Sequence, residues 1–304
     1  MSNRELVVLG TASAAPTRER NHNGYALRWD DQLVLFDPGE GFQRQCTLAG
    51  VPIARATALC LTHFHGDHCL GLPGVIAKRD MDHREELLPI FYPAQGERIL
   101  QSLCSSTAND MQINLDATPT TAPPDRLLTA GTIGQLTVEV AALEHRVPTQ
   151  GYRLTEPDHR HFLVDRLEAA GIEGEAIGEL AAHGAIETAR GTVRLEDVSE
   201  ITPGRRFAFV LDTHLCRGAE LLADGADLMV CESTFLESER HQADDYGHMT
   251  AADAGRLAAA AGVKRLVLTH FSSRYHHFEA FAAEAGRFHD DVWAANDFDR
   301  VPFD

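Results

Sequence analysis

The sequence predicts an α/β fold with its functional site at the carboxyl ends of buried strands. Short apolar runs of strand length alternate with runs of helical periodicity along most of the 304 residues. Three histidines and one aspartate directly follow the apolar run 56–62, and α/β folds place their sites at such strand ends. The tetrapeptide Leu-Thr-His-Phe occurs at 61–64 and again at 268–271, each time after an apolar run. This repeat indicates two similar βαβ halves, each of which delivers a histidine.

The individual elements follow from apolar patterning and from the turn residues that bound it. Strands are predicted over the following apolar runs: 5–11, 24–29, 32–36, 56–62, 88–92, 134–143, 206–211, 228–231 and 265–269. Helices are predicted over four segments: 42–49, 72–78, 96–104 and 251–261. The last helix has a start signal in Thr250 and Asp253, which have the spacing of a capping box. Residues 118–124, rich in proline and threonine, predict a connector.

The charge balance argues against broad contact with a polyanion. The chain has 27 lysines and arginines against 45 aspartates and glutamates, a formal net charge of −18. A protein that grips phosphate chains over a wide surface normally carries a basic excess. Only Lys78 and Lys264 are lysines, so arginine supplies nearly all the positive charge. The 44% hydrophobic content excludes a disordered chain.

Targeting signals and cysteine usage point to a cytoplasmic protein. No run of roughly 18 apolar residues appears, and the amino terminus lacks the pattern of a secretory signal peptide. The six cysteines are scattered without a Cys-x-x-Cys pair or a disulfide-like spacing. We therefore expect a soluble protein in a reducing compartment, with no membrane partner.

The segment His63-x-His65-x-Asp67-His68 predicts a metal site. Imidazole and carboxylate are the donors that zinc takes in catalytic sites, and alternating side chains on a tight loop can point at two adjacent places. Gly66 gives the backbone the freedom that this loop needs. A solvated loop that merely ends a strand would not need three histidines in six residues.

Further ligands are expected at other strand ends, because four donors cannot complete two metal sites. His145, Asp212 and His270 each follow an apolar strand. The two oxygens of Asp212 could bridge two cations about 3.5 to 4 Å apart, the spacing of two-metal hydrolases. The predicted chemistry is metal-dependent hydrolysis.

Motifs along nearly the whole chain resemble the metallo-β-lactamase fold, and more narrowly the ribonuclease Z family of tRNA 3′-processing endonucleases. The loop alone would also fit glyoxalases, lactonases and β-lactamases. The narrower resemblance is carried by these segments, in family order: 9–11, 16–17, 20–21, 36–41, 43–45, 145 with 151–153, 232–235, 248–250 and 269–275. The resemblance implies an αββα sandwich spanning 1–304, with an inserted exosite arm at about 155–200.

The resemblance also implies a ligand set for two zinc ions per subunit. His63, His65 and His145 would hold one ion; Asp67, His68 and His270 would hold the other; Asp212 would bridge them. A metal-bridging hydroxide would then cleave the phosphodiester, with Asp67 orienting or deprotonating the water.

Other roles also come from the resemblance. His248, supported by Glu232, would be the general acid for the leaving ribose oxygen. Substrate phosphate would be bound by three consecutive residues, Ser272, Ser273 and Arg274. Asp37 would either orient a ligand histidine or cap the helix that begins near residue 42.

The arm departs from the family pattern. Residues 155–200 have the glycines of the family's arm but lack its Gly-Pro pair and contain no lysine, and acidic residues outnumber arginines there. Such an arm would clasp tRNA poorly, because phosphate contacts supply much of the affinity for nucleic acid. A homodimer, in which one subunit's arm serves the partner's site, is expected from the resemblance alone.

Three functional hypotheses remain from the sequence. The first is removal of 3′ trailers from precursor tRNA, with local arginines such as Arg18, Arg20, Arg44 and Arg274 holding the RNA. The alternative is a metallo-hydrolase that acts on small phosphodiesters or other esters, with a degenerate arm. The third is a non-catalytic binding module, which the complete ligand set argues against.

Overall fold

Two large sheets form the main body of the protein. The computed structural model describes residues 4–107, 115–189 and 191–303, and within them each large sheet has seven strands. The first sheet has the order Arg300–Pro302, Arg4–Gly10, Gly24–Trp29, Gln32–Phe36, Ala58–Cys60, Leu88–Pro93 and Leu115–Thr120. The second has the order Val292–Ala294, Arg265–Thr269, Leu228–Glu232, Arg206–Val210, Thr149–Thr155, Leu136–Leu143 and Leu128–Ile133.

Both sheets contain parallel and antiparallel strand pairs. In the first, the four strands from Gln32–Phe36 to Leu115–Thr120 are parallel to one another. In the second, the four from Arg206–Val210 to Val292–Ala294 are parallel. The repeated tetrapeptide begins just beyond Ala58–Cys60 in one sheet and near the end of Arg265–Thr269 in the other. Each copy of the tetrapeptide thus follows a strand of a different sheet, although the carboxyl-terminal strand Arg300–Pro302 joins the first sheet.

The inner faces of the sheets pack on each other through an aromatic core. Phe36 of the first sheet lies 4.6 Å from Phe209 of the second, ring centroid to ring centroid, and Tyr25 lies 5.2 Å from Phe209. All three side chains are fully buried. Burial of large aromatic rings is worth several kcal/mol in aggregate, so this layer is a main source of stability.

Helices cover the outer faces of both sheets and complete an αββα sandwich. Those on the first sheet are Phe42–Ala49, Leu72–Met81 and Glu97–Cys104; those on the second are Arg217–Ala223, Ala251–Ala260 and Glu279–Ala285. Two short helices lie near the strand ends, Gly66–Cys69 and Arg240–Tyr246. The capping box is confirmed, since Thr250 Oγ1 accepts the Asp253 N–H and Asp253 accepts the Thr250 N–H.

Residues Glu156–Arg205 form a separate compact unit, at the position of the predicted insertion. Its elements are His159–Phe162, Val164–Ala170, Glu175–His183, Ala185–Thr188, Gly191–Arg194 and Ser199–Thr202. A small core of Leu167, Ile172, Leu180 and Val198 holds it together. Its sequence contains eleven acidic residues, five arginines and no lysine, so its surface carries a net negative charge.

The prediction of a connector over 118–124 was wrong at its start. Leu115–Thr120 is an edge strand, parallel to Leu88–Pro93 over six residues. Its Pro119 is tolerated because one side of an edge strand needs no ladder hydrogen bonds. The strand Leu128–Ile133, which pairs with Leu136–Leu143 around Gly134, was also missed because its small and polar residues give no apolar run. Among the described residues, no helix is long and apolar enough to cross a membrane.

Candidate metal centre

The predicted metal ligands converge at one edge of the sandwich because the segments that carry them follow strand ends. His63 lies beyond Ala58–Cys60, Asp212 beyond Arg206–Val210, and His270 directly after Arg265–Thr269. Asp212 and His270 have positive φ angles, 53° and 61°, which non-glycine residues seldom adopt. Such conformations cost of order 1–3 kcal/mol each, so the fold must hold them in place.

The structure brings all seven predicted metal ligands together. Two groups have ligand atoms that all lie within 4.8 Å of one another: His63, His65, His145 and Asp212 in the first, and Asp67, His68 and His270 in the second. A third such group consists of Asp212, His248 and His270. The first two groups contain the same residues as the two sets that the resemblance implied, and the assignment of these residues as ligands stays a prediction.

Asp212 lies between the two groups and presents one oxygen to each. Its Oδ2 is 3.6 Å from His63 Nε2 and 3.7 Å from His145 Nε2. Its Oδ1 is 3.4 Å from His68 Nε2 and 3.1 Å from His270 Nε2. A carboxylate in this position can bridge two cations.

The donor atoms fit metal ions because several are buried without a hydrogen bond. Within the described residues, Asp212 Oδ1, His145 Nε2 and His270 Nε2 are buried and make no hydrogen bond. His145 Nδ1 lies 2.9 Å from the carbonyl oxygen of Gly247, to which it donates, so Nε2 carries the lone pair. Buried polar atoms are rarely left unsatisfied, and a bound cation would satisfy all three.

The protonation states of three ligand histidines also suit cation binding. Burial holds the pKa of His63 well below its ordinary value and also lowers the pKa of His65 and His145, so these rings are neutral near pH 7. Burial would likewise lower the pKa of His68, but the neighbouring Asp212 and Asp67 carboxylates raise it well above the ordinary value. The two carboxylates create a negative potential that cations would neutralise.

The buried Asp37 carboxylate orients two of the ligand histidines. Its Oδ2 accepts hydrogen bonds from His68 Nδ1 at 2.8 Å and from the Thr62 hydroxyl at 2.6 Å. Thr62 Oγ1 in turn lies 2.9 Å from His63 Nδ1. Because the Thr62 proton goes to Asp37, its oxygen accepts the His63 N–H. In each ring the hydrogen-bonded Nδ1 is therefore the protonated nitrogen of the neutral form, and Nε2 is the nitrogen that would face a metal. No side chain caps the helix Phe42–Ala49.

Glu232 builds a matching arrangement at the second sheet. The fully buried carboxylate accepts a hydrogen bond from His248 Nδ1 at 2.9 Å through Oε1. Its Oε2 accepts the Thr234 hydroxyl at 2.7 Å, and Thr234 Oγ1 lies 2.8 Å from His270 Nδ1. Each carboxylate thus holds one histidine directly and another through a threonine hydroxyl.

The sequence did not point to either threonine. Thr62 belongs to the repeated tetrapeptide, but the equivalent Thr269 bonds the Tyr25 hydroxyl at 2.7 Å instead of a histidine. Thr234 takes that role from a different strand end. Each hydroxyl comes to lie beside its histidine only in the folded chain.

The pKa of His248 is set by opposing effects. Burial would lower it, but the charge of Glu232 and its hydrogen bond to the ring raise the pKa to about 9. In return, His248 outweighs the effect of burial on Glu232 and lowers the pKa of that carboxyl. The ring is therefore protonated near pH 7, as a proton donor must be.

We expect Asp37→Asn to weaken metal binding by about 10- to 100-fold, the usual effect of losing a group that orients a ligand. An amide has one oxygen, so its NH2 group must face either the Thr62 N–H or the two donors His68 Nδ1 and Thr62 Oγ1, and this set of hydrogen bonds cannot stay intact. Competition with a chromophoric chelator measures the affinity. The exposed Asp31→Asn is the matched control, and equal affinities for the two variants would contradict the assignment.

A cavity of about 630 Å³ opens onto the ligand cluster. The predicted substrate-binding residues Ser272, Ser273 and Arg274 line it, together with Asp67 and His248. A larger cavity, about 1170 Å³, is lined by none of the seven predicted ligands. The predicted site residues therefore border the smaller cavity.

One of the proposed RNA-binding arginines is structural instead. Arg20 is 7% exposed, and its guanidinium donates to Ala295 O and Asn296 Oδ1, both at 3.0 Å. Its Cζ also lies 3.4 Å from the Phe278 ring centroid. Arg20 is thus unavailable to RNA, whereas Arg18, Arg44 and Arg274 are exposed.

Comparisons with known proteins identify the family of the chain. Residues 17–184 match the metallo-beta-lactamase superfamily, and 183–271 match the beta-lactamase superfamily domain. The chain is 50% identical to ribonuclease Z of Streptomyces avermitilis over 304 residues, covering 99% of this chain and 98% of the relative. The chain belongs to the ribonuclease Z family. Ribonuclease Z of Nocardia farcinica is 48% identical over 308 residues, with 99% and 98% covered.

The fold agrees with solved structures as well. The crystal structure of human tRNase Z, short form, superposes with a TM-score of 0.72 at 22% identity, covering 99% of each chain. The predicted metallo-β-lactamase sandwich is thereby confirmed, as is the resemblance to ribonuclease Z.

Proposed function

We propose that the protein is a zinc-dependent endoribonuclease that removes 3′ trailers from precursor tRNA. One observation carries the proposal. Two complete ligand groups and a histidine held by a buried carboxylate line a single cavity, in a chain 48–50% identical to ribonucleases Z. The reaction class is hydrolysis of a phosphodiester.

The donor set supports two zinc ions per subunit. The first group offers three imidazoles and the second offers two imidazoles and a carboxylate, all donors that zinc accepts, with Asp212 available to both. When bound, the ions would acidify a water molecule and neutralise the charge that develops on the phosphate.

Asp67 is placed to act on the attacking water. Its side chain is 11% exposed and lines the cavity, and its Oδ2 accepts the Ala14 N–H at 2.8 Å. The same oxygen lies 3.4 Å from His68 Nε2 and 3.7 Å from His270 Nε2. A carboxylate fixed in this way can orient the water and accept its proton.

His248 supplies the proton that the leaving ribose oxygen needs. Nδ1 of His248 is hydrogen-bonded to Glu232, so Nε2 is the nitrogen that can donate a proton to a substrate in the cavity. The side chain is 11% exposed, which lets it reach substrate while Glu232 stays buried. Ser272, Ser273 and Arg274 would hold the phosphate with hydroxyl and guanidinium donors.

The purified protein is expected to cut a precursor tRNA once, after the discriminator base, because its cavity offers both hydrolytic and proton-donating groups. Gel analysis of an end-labelled transcript with a 3′ trailer gives the cleavage position. Mature-length tRNA without a trailer is the control substrate.

The acidic unit Glu156–Arg205 favours the second candidate, a hydrolase of small phosphodiesters, since its lysine-free sequence offers little to tRNA phosphates. Turnover of a chromogenic phosphodiester without any cleavage of precursor tRNA would establish that candidate and contradict the first. The role of this unit as an exosite arm, the homodimer and the cytoplasmic location stay predictions.

A further inference from the structure

A stack of two arginines and two aromatic rings borders the catalytic cavity. Arg274 Cζ lies 5.0 Å from the Phe235 ring centroid, and the Phe235 and Tyr246 rings are stacked at 6.3 Å with an interplanar angle of 20°. Arg146 Cζ lies 4.7 Å from the Tyr246 centroid. We call these four residues the arginine–aromatic stack. It places a guanidinium at each end of a continuous set of side chains.

All four members line the cavity that contains the metal-ligand candidates. Among the described residues that line it, Arg146 and Arg274 are the only arginines or lysines. Arg146 follows His145 of the first ligand group, and Arg274 follows His270 of the second by four residues. Each of the two arginines therefore lies close in sequence to a histidine of a different ligand group.

The arginines are exposed but restrained. Phe235 is only 4% exposed and Tyr246 is 47% exposed, so the stack has a buried anchor and an accessible end. Arg146 also donates to the Asp245 carbonyl at 3.1 Å. A guanidinium packed by its face on a ring keeps N–H donors at its edge, and it loses less rotational freedom when it binds an anion.

Arg146 has no competing carboxylate. In the described part of the chain, no Asp or Glu oxygen lies within 4.0 Å of its guanidinium. Other exposed arginines do pair, as Arg217 does with Glu220 at 2.9 Å. In a chain with a formal charge of −18, a cation left unpaired at the mouth of an anion-processing cavity is available to substrate.

We propose that Arg146 is a second phosphate-binding residue for RNA, which holds a backbone phosphate neighbouring the scissile one, and that Tyr246 positions it. This rests on the proposed function, because it requires a substrate with several phosphates. Arg146 and Arg274 together concentrate positive charge at the cavity, which allows an otherwise acidic protein to hold RNA locally.

The test compares Arg146→Ala, Arg146→Lys and Tyr246→Leu with the wild type on a precursor tRNA. Arg146→Ala should raise KM roughly tenfold with a smaller change in kcat, as expected for a lost charge-assisted hydrogen bond. Arg146→Lys should recover part of the loss, and Tyr246→Leu should raise KM without removing a charge. Bound metal, measured by elemental analysis, should match the wild type in all three.

A salt series separates local binding from the general effect of charge. The slope of log(kcat/KM) against log[NaCl] should become shallower by about 0.7 in Arg146→Ala, the amount for one phosphate contact on a single strand. Arg217→Ala removes the same charge from a surface outside the cavity and should keep the wild-type KM and slope. If the wild type cuts precursor tRNA and Arg146→Ala behaves like Arg217→Ala, this inference is wrong. If the wild type cuts no RNA, both the proposed function and this inference are wrong.

Discussion

Asp212→Ala should lose most of the bound metal and at least about 10³-fold in cleavage rate, the largest effect we expect. The residue offers Oδ2 to one ligand group and Oδ1 to the other, so its removal takes a ligand from both. The remaining histidines would hold cations without the bridging negative charge. Loss of one preorganised electrostatic contact alone commonly costs 10²- to 10³-fold in rate.

Metal content is measured by elemental analysis, and rate by single-turnover cleavage. Asp212 has a positive φ, which an alanine adopts with strain, so Asp212→Asn is needed as a second variant because asparagine tolerates that conformation. The exposed Asp125→Ala is the matched control. A folded Asp212→Asn protein with full metal content and normal rate would refute the bridging assignment.

His248→Ala should keep its metal and slow RNA cleavage by about 10²- to 10⁴-fold, the range for general acid catalysis. The ring donates no bond to the seven predicted ligands, and its hydrogen-bond partner is Glu232. The loss should be much smaller for a chromogenic phosphodiester, because a nitrophenolate leaving group needs no proton.

The loss of rate in His248→Ala on RNA, divided by its loss on the chromogenic phosphodiester, distinguishes proton donation from a structural role. Glu232→Gln should slow RNA cleavage too, since it removes the charge that holds the pKa of His248 at about 9. A variant of the exposed His183 to alanine controls for loss of a histidine as such. Equal losses on both substrates in His248→Ala would exclude the acid role.

Much of the fold could be predicted from the sequence, because the spacing of apolar residues reflects which side chains are buried. The hairpin strands Gly24–Trp29 and Gln32–Phe36 and the helix Phe42–Ala49 have the predicted bounds. The strands Leu115–Thr120 and Leu128–Ile133 were not predicted, since edge strands are only partly buried and carry few apolar residues. Their pairing with neighbouring strands determines their structure.

The sequence shows which residues are charged, but it does not show which of them are free to bind a substrate. Arg20 and Arg146 are the same residue type. In the structure, however, Arg20 is buried among hydrogen-bond acceptors of the protein, whereas Arg146 is exposed at the cavity. Burial depends on which segments pack together. The prediction that Arg20 binds RNA was therefore wrong, and the sequence alone did not single out Arg146.

The sequence by itself determined which donors are present and that they follow strand ends, because metal ligation restricts residue types and α/β folds restrict where sites form. The tertiary structure alone decided how those donors are held. Asp37 reaches His68 across 31 positions, and Thr234 reaches His270 across 36. Such hydrogen bonds leave no periodic trace in the chain, because they exist only after two sheets have packed and turned their strand ends toward one another.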